Sequence, residues 1–420
     1  MQRSNRRIYA DHAATSHPKP ACVEAAMRAC LTEVGASPGR GAYAEARRAG
    51  EILEECRGRL HRLIGGEGGP ERVAFTLNCS DALHLAIKGA LLHAARGGAQ
   101  PVAITTWMDH NSVLRPLRAL EDAGLVRVVR VACDPSTGLV DPEDVRRAVR
   151  AHARVALVAV AHGSNVTGTL QPIGAIGRIT REAGAPLLVD AAQTLGHVPV
   201  DVGEMCVDLL AFPGHKGLLG PSGTGGLYLA PGMERIVGTV REGGTGSRSE
   251  DDVQPQTLPD KYEAGSHNIV GIAGLGAAVG WILERGVDAL HRHERAVSEA
   301  FLSELQREGA SRGVRLIGPQ GLDDRVGVFS ILCASRSPGE LSSVLEREHG
   351  VLTRSGLHCA PLAHKTMKTA NLGGTTRLSF GSLTSVPEAV FAARAVLFAG
   401  GDIHTEVREK SEFGSWSHAS

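Results

Sequence analysis

The sequence predicts an α/β fold in which a large domain, built on a mostly parallel sheet of seven strands, is followed by a smaller α+β domain. Short apolar runs alternate with amphipathic helical segments through the first half of the chain, which is the pattern of a parallel sheet covered by helices on both faces. The last third changes to a mixed order of strands and helices. A length of 420 residues leaves room for both domains.

The predicted elements follow in a regular order. Two helices open the chain, and apolar residues recur in them with helical spacing on either side of a glycine-rich loop, at 20–34 and 45–64. The large-domain strands are predicted at 72–77, 102–105, 126–131, 155–161, 187–190, 209–212 and 226–229, with helices between most of them at 81–95, 112–123, 142–151 and 173–183. Later segments predict helices at 269–285, 288–308, 338–348 and 386–398, and strands at 325–332 and 376–380.

These elements divide the chain into parts. We expect residues 1–20 to form an N-terminal segment that joins the small domain and residues 21–262 to form the large domain. Residues 263–402 would form the small domain. Residues 403–420 are polar and predict a frayed tail.

Composition and charge exclude several classes of protein. The formal net charge is +0, with 45 basic and 45 acidic side chains, so no global basic field attracts nucleic acid or an anionic membrane. The opening residues lack the apolar core of a signal peptide, and no apolar run approaches the length of a membrane span. Eight cysteines are too few for a disulfide scaffold in this length. We therefore expect a cytoplasmic protein with no nucleic-acid or membrane partner.

A lysine and an aspartate are the first candidates for chemistry. Lys216 lies among small and apolar residues, and a lysine in a partly desolvated cleft loses its charge readily and forms Schiff bases. Asp190 ends an apolar run typical of a buried strand, which would bring its carboxylate to the ligand-binding edge of the sheet. An amine that forms an imine and an acid that pairs with a ring nitrogen are what a pyridoxal phosphate enzyme needs. Taken singly, they are more simply a turn lysine and a helix-capping acid.

Other polar residues follow neighbouring predicted strands. Ser80 opens a helix, where its hydroxyl suits an N-cap and the helix N-terminus suits a phosphate. His110 follows the next strand, and its ring would stack on a flat cofactor or carry protons. Asn165 and Gln193 would offer side-chain donors to a cofactor oxygen. Each residue has an ordinary structural alternative, but several strand ends converging on one edge predict an active site.

Four motifs give the sequence a specific resemblance. It resembles the class V aminotransferase family, and within it the cysteine desulfurase branch near the group-II desulfurases and selenocysteine lyases. The resemblance runs from about residue 9 to about residue 398, in the order of the family's motifs. The motifs are Ser164-Asn-Val-Thr-Gly-Thr169, Asp190-Ala-Ala-Gln193, Gly214-His215-Lys216 and Arg354-Ser-Gly-Leu-His358-Cys359-Ala360.

The resemblance implies a role for each matching residue in a pyridoxal phosphate enzyme of fold type I. Lys216 would hold the cofactor and move protons, and Asp190 would keep the ring nitrogen protonated. His110 would stack on the ring, and Cys359 would be the nucleophile that takes the substrate sulfur as a persulfide. Gln193 would contact the phenolic oxygen of the cofactor, and Asn165 would lie near the ring and the substrate. The phosphate would be bound by Ser80, His215 and the Cys79 backbone, and the substrate carboxylate by Arg377.

Two positions depart from the family's pattern. Pro213 stands where the desulfurases often have a serine, so one phosphate-binding hydroxyl is lost. Ser266 stands where the family has a threonine that reaches the partner subunit's phosphate, and serine keeps that hydroxyl. The resemblance therefore implies a homodimer with a shared active site.

Cys359 decides which reaction is expected. A thiolate is required, and His358 beside it or a basic cleft would lower the pKa of the thiol. An inert loop cysteine, or a weak metal site with His358 and His364, are the alternatives to this role. The leading hypothesis is conversion of L-cysteine to L-alanine, with a sulfur-acceptor protein as partner. The alternatives are a selenocysteine lyase or other C–S lyase or aminotransferase-like enzyme of the same family, and a non-catalytic cofactor-binding scaffold.

Overall fold

A computed structural model of the chain describes residues 7–39, 41–246 and 250–401, and its largest sheet has seven strands. All seven predicted strands belong to this sheet, in the order β2-β8-β7-β6-β5-β3-β4, and β8 alone runs antiparallel to its neighbours. The predicted mostly parallel sheet is therefore confirmed. The strands are β2 (Val73–Thr76), β3 (Val102–Thr106), β4 (Arg127–Val131), β5 (Val155–Ala161), β6 (Leu187–Asp190), β7 (Leu209–Pro213) and β8 (Gly225–Leu229).

Helices cover both faces of this sheet. Leu210 of β7 belongs to an apolar cluster that includes Leu275 of α7, whereas the adjacent Leu209 belongs to a second cluster that includes Leu83 of α3. Successive strand residues thus point to opposite faces and both faces are buried, which explains the continuous apolar runs in the sequence. The helices are α1 (Ala21–Ala29), α2 (Ala44–Leu63), α3 (Cys79–Ala95), α4 (Asn111–Asp122), α5 (Pro142–Arg150), α6 (Ile173–Glu182) and α7 (Ile269–Arg285).

A second, antiparallel sheet of four strands is built from the last third of the chain, in the order β12-β13-β10-β9. Near the start of the chain, the short strand β1 pairs in parallel with β11, which also belongs to the last third of the chain. The opening segment therefore lies beside that last third. The strands are β1 (Ile8–Tyr9), β9 (Val314–Ile317), β10 (Val328–Cys333), β11 (Val351–Leu352), β12 (Arg354–Gly356) and β13 (Thr375–Ser379), and the helices are α8 (Val287–Glu308), α9 (Pro338–His349), α10 (Pro361–Thr366) and α11 (Val386–Gly400).

Two helix boundaries differ from the sequence-based expectation. The first helix ends at Ala29 and continues as a π-helical turn to Val34 instead of running unbroken. Helix α3 begins at Cys79, and its N-cap is Asn78, whose side chain accepts a hydrogen bond from the Asp81 amide at 3.0 Å. The predicted capping role of Ser80 is therefore wrong, because Ser80 already lies inside the first turn.

The predicted tail at 403–420 lies outside the described residues. Within the described ranges, no single helix is long and apolar enough to cross a membrane. Helices α7 and α8 meet the length and composition requirements only when taken together, and they are bent by 84° where they join.

Candidate active site

Four candidate residues follow adjacent strands at one edge of the large sheet. His110 follows β3, Asn165 follows β5, Asp190 ends β6 and Lys216 follows β7. These strands are neighbours in the order β7-β6-β5-β3 and run parallel, so their carboxyl ends lie side by side. In open α/β folds this edge is where ligands bind.

Asp190 is buried and held in a fixed orientation. Its Oδ1 accepts hydrogen bonds from the amide of Ala192 at 2.9 Å and from the thiol of Cys79 at 3.4 Å. No hydrogen bond among the described residues reaches its Oδ2. This arrangement leaves one carboxylate oxygen for a protonated ring nitrogen.

Lys216 has the environment of a reactive amine. The residue is half-buried, and burial lowers the pKa of its ammonium, while Asp190 and Cys79 act in the opposite direction. A lowered pKa raises the fraction of free amine, which is the nucleophilic form.

The peptide that precedes Lys216 is held by the opening segment of the chain. The carbonyl oxygen of His215 accepts hydrogen bonds from Thr15 Oγ1 at 3.1 Å, from Ser16 N and Oγ at 3.0 and 3.1 Å, and from Lys19 Nζ at 2.9 Å. Sequence reasoning missed this cluster, because an irregular segment of polar residues carries no periodic signal. These contacts fix the backbone from which the Lys216 side chain projects.

His110 caps helix α4 and is neutral at neutral pH. Its Nδ1 accepts a hydrogen bond from the Ser112 amide at 3.1 Å and lies 2.9 Å from Ser112 Oγ, so its proton resides on Nε2. Burial lowers the pKa of the ring to about 4, although the nearby Asp190 carboxylate raises it. Ser80 is exposed, and its Oγ lies 2.6 Å from Ser112 Oγ, which connects the predicted phosphate and ring contacts.

A buried acid that sequence reasoning missed holds the His110 loop. Asp109 Oδ2 accepts from Thr105 Oγ1 at 2.7 Å and from the Thr106 amide at 2.6 Å. Its Oδ1 accepts from the amide of Ala161 at 2.6 Å. Asp109 thereby ties the end of β3 to the end of β5.

The two predicted amide side chains are oriented by backbone carbonyl groups. Asn165 Nδ2 donates to the His358 carbonyl at 2.6 Å, and Gln193 Nε2 donates to the Ala13 carbonyl at 2.9 Å. Each side-chain amide has a second N–H, so both keep one donor for a bound molecule.

Arg377 lies in the middle of β13 and is 1% exposed. Its Nη1 donates to the Asn165 carbonyl at 3.1 Å, and its Nη2 donates to Asp11 Oδ1 at 2.6 Å. The alternative of a surface arginine at a strand edge is therefore wrong. The contact with Asn165 places Arg377 beside the carboxyl end of β5.

Cys359 is exposed on a loop with unusual backbone geometry. His358 and Cys359 have φ angles of 47° and 57°, and two consecutive non-glycine residues in the left-handed region cost about 1–2 kcal/mol each. The Asn111 amide donates to the Cys359 carbonyl at 2.8 Å. This bond ties the thiol-bearing loop to the start of α4, next to His110.

The neighbouring histidine does not supply the positive charge expected for the Cys359 thiol. His358 is buried, its Nε2 lies 3.1 Å from the carbonyl oxygen of Thr375, and burial lowers the pKa of the ring to about 2. His358 is therefore neutral, and the part of the prediction that uses its charge is wrong. The basic-cleft alternative fits, since Arg354 Nη2 lies 3.9 Å from Cys359 Sγ.

Ser266 is exposed in the loop before α7. No hydrogen bond joins it to the other candidate residues within the described part of this one chain. The start of its loop is anchored by Glu263, which forms a buried ion pair with Arg57 at 2.7 Å, and its end by Asn268, which caps α7.

The donor set fits pyridoxal phosphate. Asp190 offers a free oxygen at one side, Lys216 offers an amine, and Nδ1 of His215 is buried without a hydrogen-bond partner among the described residues. A phosphate oxygen would satisfy that nitrogen in its protonated tautomer. Within the described ranges, no group of three or more His, Cys, Asp and Glu side chains is arranged to hold a metal ion.

Comparisons with known proteins show the family to which the chain is similar. The family model described as Aminotransferase class-V matches residues 8–389. The chain is 35% identical over 376 residues to a probable cysteine desulfurase of Methanothermobacter thermautotrophicus, covering 89% of each chain. It is 31% identical over 376 residues to a cysteine desulfurase of Haloferax volcanii, covering 89% of this chain and 84% of the relative. The apo structure of cysteine desulfurase from Thermococcus onnurineus NA1 superposes with a TM-score of 0.84 and 29% identity, covering 94% of this chain and 95% of the other.

Proposed function

The chain belongs to the class V aminotransferase family, and from that premise we propose that it is a pyridoxal phosphate-dependent cysteine desulfurase. The net reaction converts L-cysteine to L-alanine and leaves the sulfur on Cys359 as a persulfide. The relatives named as cysteine desulfurases support this assignment. The structural observation that supports it most is the hydrogen bond from the Asn111 amide to the Cys359 carbonyl, because it ties the loop that carries an exposed thiol to the residue after His110.

The cofactor contacts that we propose are those implied by the family resemblance, and the geometry of Asp190, His110 and His215 supports them. Asp190 Oδ2 would pair with the ring nitrogen, and Lys216 would hold the aldehyde carbon. The neutral ring of His110 would lie against the cofactor ring. The phosphate would be bound by Ser80, His215 and the Cys79 backbone at the N-terminus of α3, and the phenolic oxygen by Gln193. When bound, the cofactor supplies an electron-accepting ring that stabilises negative charge on the substrate carbon.

The side chains of this protein would carry out the remaining work. Arg377 and Asn165 would bind the substrate carboxylate, and the Lys216 amine would take a proton from the α carbon and return protons to the product. The thiolate of Cys359 would attack the substrate sulfur, so that a sulfur–sulfur bond forms as the carbon–sulfur bond breaks. Arg354 would stabilise the attacking thiolate, because its guanidinium lies 3.9 Å from the Cys359 sulfur and opposite charges attract.

A cysteine substitution with a matched control tests the proposal. The Cys359→Ser variant should lose alanine formation from L-cysteine by on the order of a thousandfold, because the sulfur has no acceptor. Cys333→Ser is the control, since Cys333 lies in β10 and donates to the carbonyl of Gly400. Alanine and sulfide are measured with a reductant present.

The same assay separates the alternatives. Full activity of Cys359→Ser on L-cysteine would refute the nucleophile assignment. If the wild type and Cys359→Ser both act on selenocysteine and neither acts on L-cysteine, a selenocysteine lyase would be favoured. A coloured protein that converts no amino acid would favour a non-catalytic scaffold.

We also propose that two copies share the active site and that a protein accepts the sulfur. Ser266 is exposed on the single chain, which supports the first proposal, because a second copy could be reached from there. Cys359 is also exposed, which supports the second, because an acceptor protein could approach it. Light scattering should give the mass of two chains, and dilution that produces monomers should release the cofactor. A monomer that keeps its cofactor would contradict the shared site.

A further inference from the structure

Two arginines that face the site lie side by side in the small sheet. Arg354 of β12 is paired directly with Arg377 of the neighbouring strand β13. Residues directly opposite in an antiparallel pair have side chains on the same face, about 5 Å apart at Cβ, and like charges there are destabilising. An arrangement of this kind requires a negative charge nearby.

Asp11 supplies that charge. Its Oδ1 lies 2.6 Å from Arg377 Nη2, and no other carboxylate of the described residues forms an ion pair with either arginine. The backbone fixes Asp11 beside β13, because Asp11 forms a parallel bridge with Ser379 and the Ala13 amide donates to Ser379 Oγ at 2.8 Å.

Asp11 leaves the Arg377 guanidinium partly free. Each terminal nitrogen carries two hydrogens, and one on each is used, by Asp11 and by the carbonyl of Asn165. One N–H therefore remains on each terminal nitrogen, and Nε is buried without a hydrogen-bond partner among the described residues, so the guanidinium keeps donors for a carboxylate.

The charges of Arg354, Arg377 and Asp11 alone leave an excess of one positive charge, and His358 and Tyr9 beside them are neutral near pH 7. Lys216 and Cys359 also lie near the two arginines, as the groups proposed to bind the cofactor and to take the substrate sulfur. The burial of His358 lowers the pKa of its ring to about 2, and burial raises the pKa of the Tyr9 hydroxyl. One substrate carboxylate would neutralise the excess charge.

We propose that Asp11 is a specificity-determining residue that positions Arg377 and limits the site to amino acids with a single carboxylate. This inference rests on the proposed function, since it takes Arg377 as the substrate-carboxylate arginine. The side chain of Asp11 does not take part in the chemistry. It acts through Arg377, by orienting the guanidinium and by reducing the positive potential that a second anionic group would meet.

Binding of two amino acids to the cofactor-loaded protein tests this proposal. Dissociation constants of L-alanine and L-aspartate are measured from the change in visible absorbance. The Asp11→Asn variant keeps an oxygen acceptor for Arg377 but removes the negative charge. The dissociation constant of L-aspartate divided by that of L-alanine should therefore be lower than the wild-type ratio by on the order of tenfold. Asp11→Glu restores the charge and should return the ratio towards the wild-type value.

Glu346→Gln is the matched control. Glu346 pairs with Arg7 at 2.5 Å, in an exposed contact of the same opening segment, and its removal should leave the ratio unchanged. An unchanged ratio in Asp11→Asn, or equal weakening of both amino acids with a fall in thermal midpoint, would overturn the proposal. A wild-type protein that binds neither amino acid would instead refute the proposed function, and with it the premise of this inference.

Discussion

The buried ion pair between Arg57 and Glu263 makes a sharp test of how the Ser266 loop is held. Glu263 Oε1 and Oε2 lie 2.7 and 3.1 Å from the Arg57 guanidinium, and Oε1 also accepts from the Phe75 amide at 2.6 Å. The two side chains are 2% and 3% exposed. The guanidinium also lies 4.4 Å from the centroid of the Phe75 ring. The Glu263→Gln substitution removes the buried carboxylate charge and leaves the buried guanidinium with only the exposed carboxylate of Glu54, 3.4 Å from its Nε, as a partner.

The expected cost follows from the burial of both groups. Breaking a buried pair by removing one partner destabilises a protein by about 3–5 kcal/mol, because an uncompensated charge stays in the interior. With an unfolding entropy of roughly 2 cal/mol/K per residue, this corresponds to a fall of about 3–6 °C in the thermal midpoint. Glu24→Gln is the control, because it breaks an exposed pair with Arg28 and should change the midpoint by about 1 °C or less.

Calorimetry of the two variants and of an Arg57→Met/Glu263→Met double variant measures these effects. The double variant should be more stable than Glu263→Gln, since no buried charge remains and the Glu54 carboxylate is exposed to solvent. Equal midpoints for Glu263→Gln and Glu24→Gln would refute the reasoning.

Three further predictions concern the site. Lys19→Met should weaken cofactor binding roughly tenfold to a hundredfold, because a charge-assisted hydrogen bond to the peptide before Lys216 is lost. Equilibrium dialysis measures this binding, and an equal effect of Lys88→Met would contradict the prediction. Because the pKa of His110 is about 4, the ring should be neutral above about pH 5. Its NMR resonance should therefore titrate below pH 5, and a titration midpoint near 6.5 would contradict the burial argument. Arg354→Ala should slow the alkylation of Cys359 by iodoacetamide near pH 7, because the guanidinium that lies 3.9 Å from the sulfur and favours the thiolate is lost, and an unchanged rate would remove the basic-cleft explanation.

The residues at the strand ends could be predicted because local patterns mark them. Asp190 closes a run that is apolar at every position, and such a run has few interpretations other than a buried strand. Lys216 follows a second run of the same kind. Since parallel strands bring their carboxyl ends to one edge, their proximity followed from the order of strands and helices.

The opening segment could not be predicted in the same way. Asp11 and Arg377 are 366 residues apart in the chain, and no periodicity links an irregular segment to a distant strand. Lys19 acts through a backbone carbonyl of His215, which carries no residue-type signal at all. Strands of two residues, such as β1 and β11, are too short for alternation to be recognised.

Two errors at helix and loop positions have local causes. Asn78 and Ser80 are both good capping residues by type, and only the backbone conformation decides that the asparagine is outside the helix. The sequence of His358 and Cys359 suggested an electrostatic pair, but the histidine side chain turns inward to Thr375 while the thiol faces outward.

The most direct test of the central claim is to find the residue that carries the cofactor. The purified protein is treated with borohydride, digested and examined by mass spectrometry for a lysine modified by pyridoxal phosphate. The modification should lie on Lys216, and a Lys216→Ala variant should be colourless and unmodified. Modification of Lys19 or another lysine, or visible colour retained in Lys216→Ala, would contradict the proposed site.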